Sequence, residues 1–309
     1  MRLTFGILMT LVIGVAHANA DLTAAIENVR TTCGNISDEL ADIKKMAGIT
    51  TAVTTVGTVA GGVALGTGLA KVGVDKEIEE LESQIARLKA ERGDVPIEHL
   101  EIEDKALFKR QANELITDYQ AKEQEISAAE QKSKNLGNWR TGTLATATAT
   151  NIAGAVMSGT NRVKGDLKQQ IDECLASVKT LSNIRMQARI DGSATETDLA
   201  HAENIIRACD AWTTVDISSI NNRSKGATVS SGIGAGLGLV GTITSASANS
   251  DGVRNGDDAQ REKNLNTAAN VLAGGTTAAG LSATIFNSTQ ISAIKRAATV
   301  ADECEGALK

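Results

Sequence analysis

A single proline, six aromatic residues and no excess of basic charge narrow the reading of this 309-residue chain before any motif is sought. With Pro96 alone to interrupt the backbone donors, long helices are permitted almost everywhere. Val, Ile and aromatic residues rarely alternate with polar ones, so strands are not expected. A net charge of -6 and 2% aromatic content leave no counterion-releasing surface and almost no stacking platform, which excludes a nucleic-acid partner. Disorder is excluded in turn, because 42% of the residues are apolar.

Catalytic chemistry is equally scarce. Beyond the N-terminal leader only His99 and His201 remain, far apart in sequence, so neither a His-based metal site nor a triad is expected. The four cysteines form no C-x-x-C pair. Gly236-Leu237-Gly238-Leu239-Val240-Gly241 matches G-x-G-x-x-G, but no strand precedes it, and the motif needs that context. Arg92-Gly93-Asp94 is an RGD tripeptide, read here as a helix stop and turn. The expectation is a non-enzymatic protein without a cofactor.

Residues 1–20 have the form of a secretory signal: Arg2, an apolar stretch from Leu3 to Val15, and Ala18-Asn19-Ala20 as a small-x-small cleavage site. A mature chain beginning at Asp21 keeps all four cysteines, which would meet an oxidising compartment: periplasm, cell envelope or medium.

An internal repeat organises the remainder. Lys134-Asn135-Leu136 and Lys263-Asn264-Leu265 each lead through a Thr/Ala/Gly-rich run to Asp-Glu-Cys, at Cys174 and Cys304. Cys33 and Cys209 precede comparable charge-poor segments. The turn-rich stretch from Asn249 to Asp258 lies midway between Cys209 and Cys304, and Asp191-Gly192-Ser193 lies midway between Cys174 and Cys209. Antiparallel helices with these midpoints bring the four cysteines to one height. Ser193 and Glu196 form an S-x-x-E capping box for the following helix. Two pairings then satisfy the roughly 7 Å limit on disulfide reach: Cys33–Cys174 with Cys209–Cys304, or Cys174–Cys209 with Cys33–Cys304. The repeat favours the first.

The expected fold is therefore all-α: duplicated antiparallel helical hairpins forming an elongated four-helix bundle with a two-helix coiled-coil extension. Residues 21–190 form the first hairpin and 191–309 the second. The extension is an insertion at about 75–133, where Val74, Ile78, Leu81, Ile85 and Leu88 recur at heptad spacing. Leu115, Tyr119, Ile126 and Ala129 line the return arm, with 96–104 expected as a short cap or loop at the tip.

Four segments carry no charge: Met46–Ala70, Thr141–Asn161, Gly226–Ser250 and Asn264–Ile294. Each is about as long as the roughly 20 residues that cross a bilayer. Small residues recur within them at helix-packing intervals, at Gly57 and Gly61, Gly62 and Gly66, Gly234 and Gly238, and Gly275 and Ala279. Their richness in Thr, Ser and Asn weakens transfer into hydrocarbon, and flanking basic residues divide evenly between the two ends. Trp139 and Trp212 fit either interfacial anchors or core positions. Two readings follow. In one, an exported helical bundle acts by association, with a protein partner along the coiled coil, with a second copy, or with a membrane. In the other, a membrane-active pore former or effector inserts its Gly-rich hairpins into a bilayer.

Overall fold

A computed structural model of the chain describes residues 21–93, 102–250 and 259–309, together with Val253. The fold is all-α, and no strand occurs among the described residues. Helix α1 spans 21–33 and turns at Gly34 into α2 (Ile36–Gly93). There follow α3 (Ile102–Thr160), α4 (Gly165–Ile190), α5 (Glu196–Asp210), a 3-10 turn (Ala211–Thr214), α6 (Ile217–Ala248) and α7 (Ala259–Ala307). Helices α2 and α3 reach 58 and 59 residues, as the near-absence of proline permits. The leader, the tip from Asp94 to Glu101 with Pro96 and His99, and the Asn255-Gly256 turn lie outside the described residues. Ile102 already opens α3, so the later part of the expected cap belongs to the long helix.

The chain divides into two compact units that cut across the two sequence halves. Of the described residues, unit 1 takes those up to Thr54, Ala153–Ser231 and Ser282–Lys309, and unit 2 takes those within Thr55–Ile152 and Gly232–Leu281.

Unit 1 holds the conventional core. Leu22, Val29, Ile36 and Leu40 pack with Leu167, Ile171, Leu181, Ile205, Trp212, Ile220 and Ile294. Each such side chain contributes about 1.5–3 kcal/mol on burial. Embedded among them are two bridges, Cys33–Cys174 with Cα atoms 5.0 Å apart and Cys209–Cys304 with Cα atoms 4.5 Å apart. These are the pairs the repeat favours. They close loops of 141 and 95 residues, and removing that freedom from the unfolded chain contributes about 4–5 kcal/mol each in the entropic view.

The α4–α5 corner departs from the expected cap. Gly192 adopts φ +60, and Ser193 donates its backbone N–H to Ala188 O at 3.0 Å, so Ser193 closes α4. Thr195 opens α5, its hydroxyl accepting from the N–H of Asp198. The Ser193 hydroxyl also donates to Ala188 O, at 3.3 Å, so its oxygen is turned back onto α4 and the capping role passes two residues on. At α6 the Asp216 carboxylate accepts from the Ser218 hydroxyl and the Ser219 N–H, which hold its pKa below the usual carboxylate value. Gly192→Ala should cost about 1–2 kcal/mol, because a Cβ is strained at positive φ, and Thr195→Ala about 1 kcal/mol. Urea unfolding of the oxidised chain measures both; an unchanged midpoint in either variant contradicts this corner.

Candidate functional site

The four long helices share one burial rhythm, with inward residues at alternating spacings of three and four. On α6 they are Ile217, Ile220, Ser224, Ala227, Ser231, Gly234, Gly238, Gly241, Ser245 and Ala248. On α7 the series passes through Asn266, Ala269, Ala273, Thr276, Gly280, Ala283, Asn287, Gln290 and Ile294. Ala47, Thr50, Thr54, Gly57, Gly61, Ala64 and Gly68 continue it on α2. Arg140, Leu144, Ala147, Asn151, Gly154 and Ser158 do so on α3. Inside the charge-free segments, then, the interior is built from small and polar residues.

Glycine makes this possible by letting a neighbouring helix supply the polar group that fills the space. In unit 2 a Cβ built on Gly57 would lie 2.5 Å from Thr150 Oγ1, and one on Gly61 2.9 Å from Thr277 Oγ1. On Gly238 it would lie 2.4 Å from Thr148 Oγ1, and on Gly234 2.8 Å from Asn151 Nδ2 and 3.3 Å from Ala279. At Gly275 the space is filled by an apolar group instead, Leu237 Cδ1, 2.9 Å from where a Cβ would lie. Gly62 and Gly66, by contrast, look outward and have nothing within 4 Å. Partner numbers fall on one helix as they rise on the next, so the neighbours run antiparallel.

Hydrogen bonds join the inward polar groups. In unit 1 Asn161 Nδ2 donates to Thr50 Oγ1 at 2.6 Å, Gln290 Nε2 to Asn161 O at 2.8 Å, and Ser158 Oγ to Asn287 Oδ1 at 3.2 Å. In unit 2 the Arg140 guanidinium is 0% exposed and donates to Ser245 Oγ at 2.8 Å, Asn266 Oδ1 at 2.7 Å and Asn270 Oδ1 at 3.2 Å. Lys71, also 0% exposed, donates to Asp75 at 2.8 Å and to Glu262 at 3.1 Å, while Ser133 donates to Asp75 at 2.6 Å. Burial pulls the Arg140 pKa below its usual value, and Asp75 and Glu262 oppose that fall. This network of two cations and two carboxylates stands just beyond the charge-free segments of α2, α3 and α7. The Asn151 amide is an exception to the satisfied interior: it is fully buried and neither of its polar atoms has a hydrogen-bond partner.

The outward faces carry the apolar residues that the interior lacks. Val56, Val59 and Leu69 on α2, Ile152 and Val156 on α3, Val229, Ile233 and Ile243 on α6, and Val271, Leu281 and Ile285 on α7 are all exposed. Two helical runs, Asp21–Ala90 and Glu196–Ala248, contain windows long and apolar enough to cross a membrane, with mean hydropathy 1.4 and 1.3. Only 33% and 28% of those windows are buried. Outward threonines return their hydroxyls to their own helix: Thr146, Thr267 and Thr289 donate to the carbonyls of Gly142, Lys263 and Ile285 at 3.0, 2.8 and 3.0 Å. The two tryptophans part company. Trp139 is 66% exposed, while Trp212 is 2% exposed in the unit 1 core.

Along the arm, Leu81 and Ile85 are buried, and Ile78 and Leu88 half-buried. Ala129 is buried, and Tyr119 and Ile126 half-buried; the Leu115 side chain lies outside the described residues. A groove of about 480 Å³ is lined by Ile85, Ala86, Lys89, Tyr119, Glu123 and Ile126, among others, with Lys89 Nζ 5.4 Å from the Tyr119 ring centroid. The G-x-G-x-x-G stretch sits inside α6, where its backbone donors serve the helix and form no phosphate loop. His201 is exposed.

Lys71→Met should destabilise unit 2 by about 3–5 kcal/mol, since it strands two partly buried carboxylates, and adding Glu262→Gln should restore part of the loss. Gly68→Ala forces a Cβ to within 1.9 Å of Asn270 Oδ1 and should destabilise. Gly62→Ala, in open space, should stabilise by about 0.5–1 kcal/mol through helix propensity. Thermal unfolding followed by circular dichroism reads all three; equal effects at the two glycines would contradict the inward packing. Comparison with known proteins finds no family model, no curated protein and no solved structure that matches this chain.

Proposed function

We propose that this is an exported protein whose four long helices are embedded in a lipid bilayer, and that it acts by association, not catalysis. The reversed distribution of side chains carries the reading. A bundle stable in water buries its Val, Ile and Leu, whereas here the charge-free segments bury mostly Gly, Ala, Ser, Thr and Asn, with Leu144 and Ile294 as the large apolar exceptions, and turn most of their Val, Ile and Leu outward. Hydrocarbon favours this arrangement, because lipid solvates the outer face and small residues let the backbones approach inside.

Other features agree. The charge-free run of α2 from Met46 to Leu69 exceeds the roughly 20 helical residues that cross a bilayer core. Trp139 suits the interface, and the network around Lys71 and Arg140 suits a position at the edge of the hydrocarbon. Outward threonines, which argued against insertion from composition, have donors returned to helix carbonyls. The bridges belong to an oxidising compartment, in accord with export. One bridge falls in each sequence half, which supports duplication of the hairpin. Beyond the charge-free segments, the heptad-spaced arm is the surface for a helical protein partner. The open pairs Gly62 and Gly66 on α2, and Gly232 and Gly236 on α6, are suited to a second copy within the membrane.

Vesicle binding by the mature chain tests the proposal. The protein should sediment with liposomes and resist carbonate extraction. In a Trp212→Phe background, lipids brominated near the headgroup should quench Trp139. Ile152→Asp and Ile233→Arg should leave helicity intact and impair insertion, since a charge near mid-bilayer costs about 2.5–3.5 kcal/mol on insertion scales. A monodisperse chain that ignores vesicles, with both variants behaving as the parent, would sink the membrane reading. Leakage of entrapped dye would identify a pore, and tight vesicles a scaffold.

A further inference from the structure

We propose that Cys33, Cys174, Cys209 and Cys304, once both bridges are reduced, form a single tetrahedral thiolate site for a soft divalent metal ion of the Zn2+ class. This does not rest on the membrane reading. The two bridges of unit 1 share one pocket of the core: the sulfurs of Cys33, Cys209 and Cys304 all lie within 4.8 Å of one another, and that of Cys174 is bonded to Cys33 at 2.08 Å. Four sulfurs around a zinc ion at about 2.3 Å stand roughly 3.8 Å apart. The Cys33 sulfur must therefore approach those of Cys209 and Cys304 by no more than ~1 Å, and reduction frees the Cys174 side chain, held beside Cys33 by the bridge, to rotate into the fourth position.

The surroundings suit the same role. All four cysteines are buried, 0–4% exposed. The Thr32 hydroxyl stands 3.8 Å from Cys33 Sγ and shares a 2.7 Å hydrogen bond with Ser177 Oγ, which contacts Cys174 O at 2.8 Å. Hydroxyls so placed orient the ligands beneath them and relieve their charge. The ligands come from α1, α4, α5 and α7, so one ion would join the same segments that the two bridges join. Electrons and protons balance: each bridge takes two electrons and two protons from a dithiol, which becomes a disulfide, and metal binding then releases the four thiol protons. Unit 1 would be held closed under oxidising conditions by sulfur–sulfur bonds and under reducing conditions by metal–sulfur bonds.

Cobalt titration of the full mature chain, reduced anaerobically with a phosphine, provides the test. One Co2+ per chain should bind with thiolate-to-metal absorption and tetrahedral d–d bands, and Zn2+ should displace it. The oxidised chain should show neither band. Zinc should raise the thermal midpoint of the reduced chain, and Cys174→Ser should weaken binding by at least about tenfold. Three results would each overturn the proposal. They are a reduced chain that keeps its helical circular dichroism and binds no cobalt through sulfur, a reduced chain that loses its helicity and does not recover it with zinc, and a Cys174→Ser variant that binds as tightly as the parent.

Discussion

Close approach of helix backbones at glycine is the constraint on which this bundle depends. Gly57, Gly61, Gly68, Gly234 and Gly238 each face a threonine or asparagine from a neighbouring helix, so tightly that a Cβ would overlap it. Glycine inside a helix costs about 0.5–1 kcal/mol against alanine, a sum that only close packing and buried hydrogen bonds can offset. That requirement selects the partners. Threonine and serine are short enough to fit, and their hydroxyls bond either a facing side chain, as Thr141 does with Ser245, or their own helix, as Thr148 does with Leu144 O.

Once the interior is filled in this way, few bulky apolar residues besides Leu144 find a place inside, and most appear on the outer faces. The same packing thus accounts for the polar core, for the exposure of Val59, Ile152, Ile243 and Val271, and for the proposal that lipid is the solvent of those faces. The network of Lys71, Asp75, Glu262 and Arg140 marks where this regime ends in unit 2, since fully buried cations are tolerated only with carboxylate and amide partners. Beyond it, Val74, Leu81 and Ile85 restore an ordinary apolar seam along the arm.

Unit 1 follows the opposite rule. Its core is built from leucine, isoleucine and a buried tryptophan, and four cysteines sit at its centre. Here burial of apolar area does what hydrogen bonding and glycine contact do in the charge-free segments. Two bridges within reach of each other make the sulfur cluster one feature, and that compactness gives it a second chemistry under reduction.

Helical class, the 3–4 periodicity of the arm and the pairing of the cysteines were legible in the order of residues, because each rests on local spacing or on the repeat. The burial rhythm of α6 and α7 was not, because periodicity is usually read from apolar residues and these stripes consist of Gly, Ala, Ser and Asn. Nor does composition say which way a glycine looks: Gly61 and Gly62 are neighbours, yet one meets Thr277 and the other open space. The partners of Lys71 and Arg140, and the meeting of four sulfurs far apart in the chain, depend on which helices become neighbours and in what register. Spacing along a chain governs what a helix does with itself. What it meets is a property of the assembled bundle.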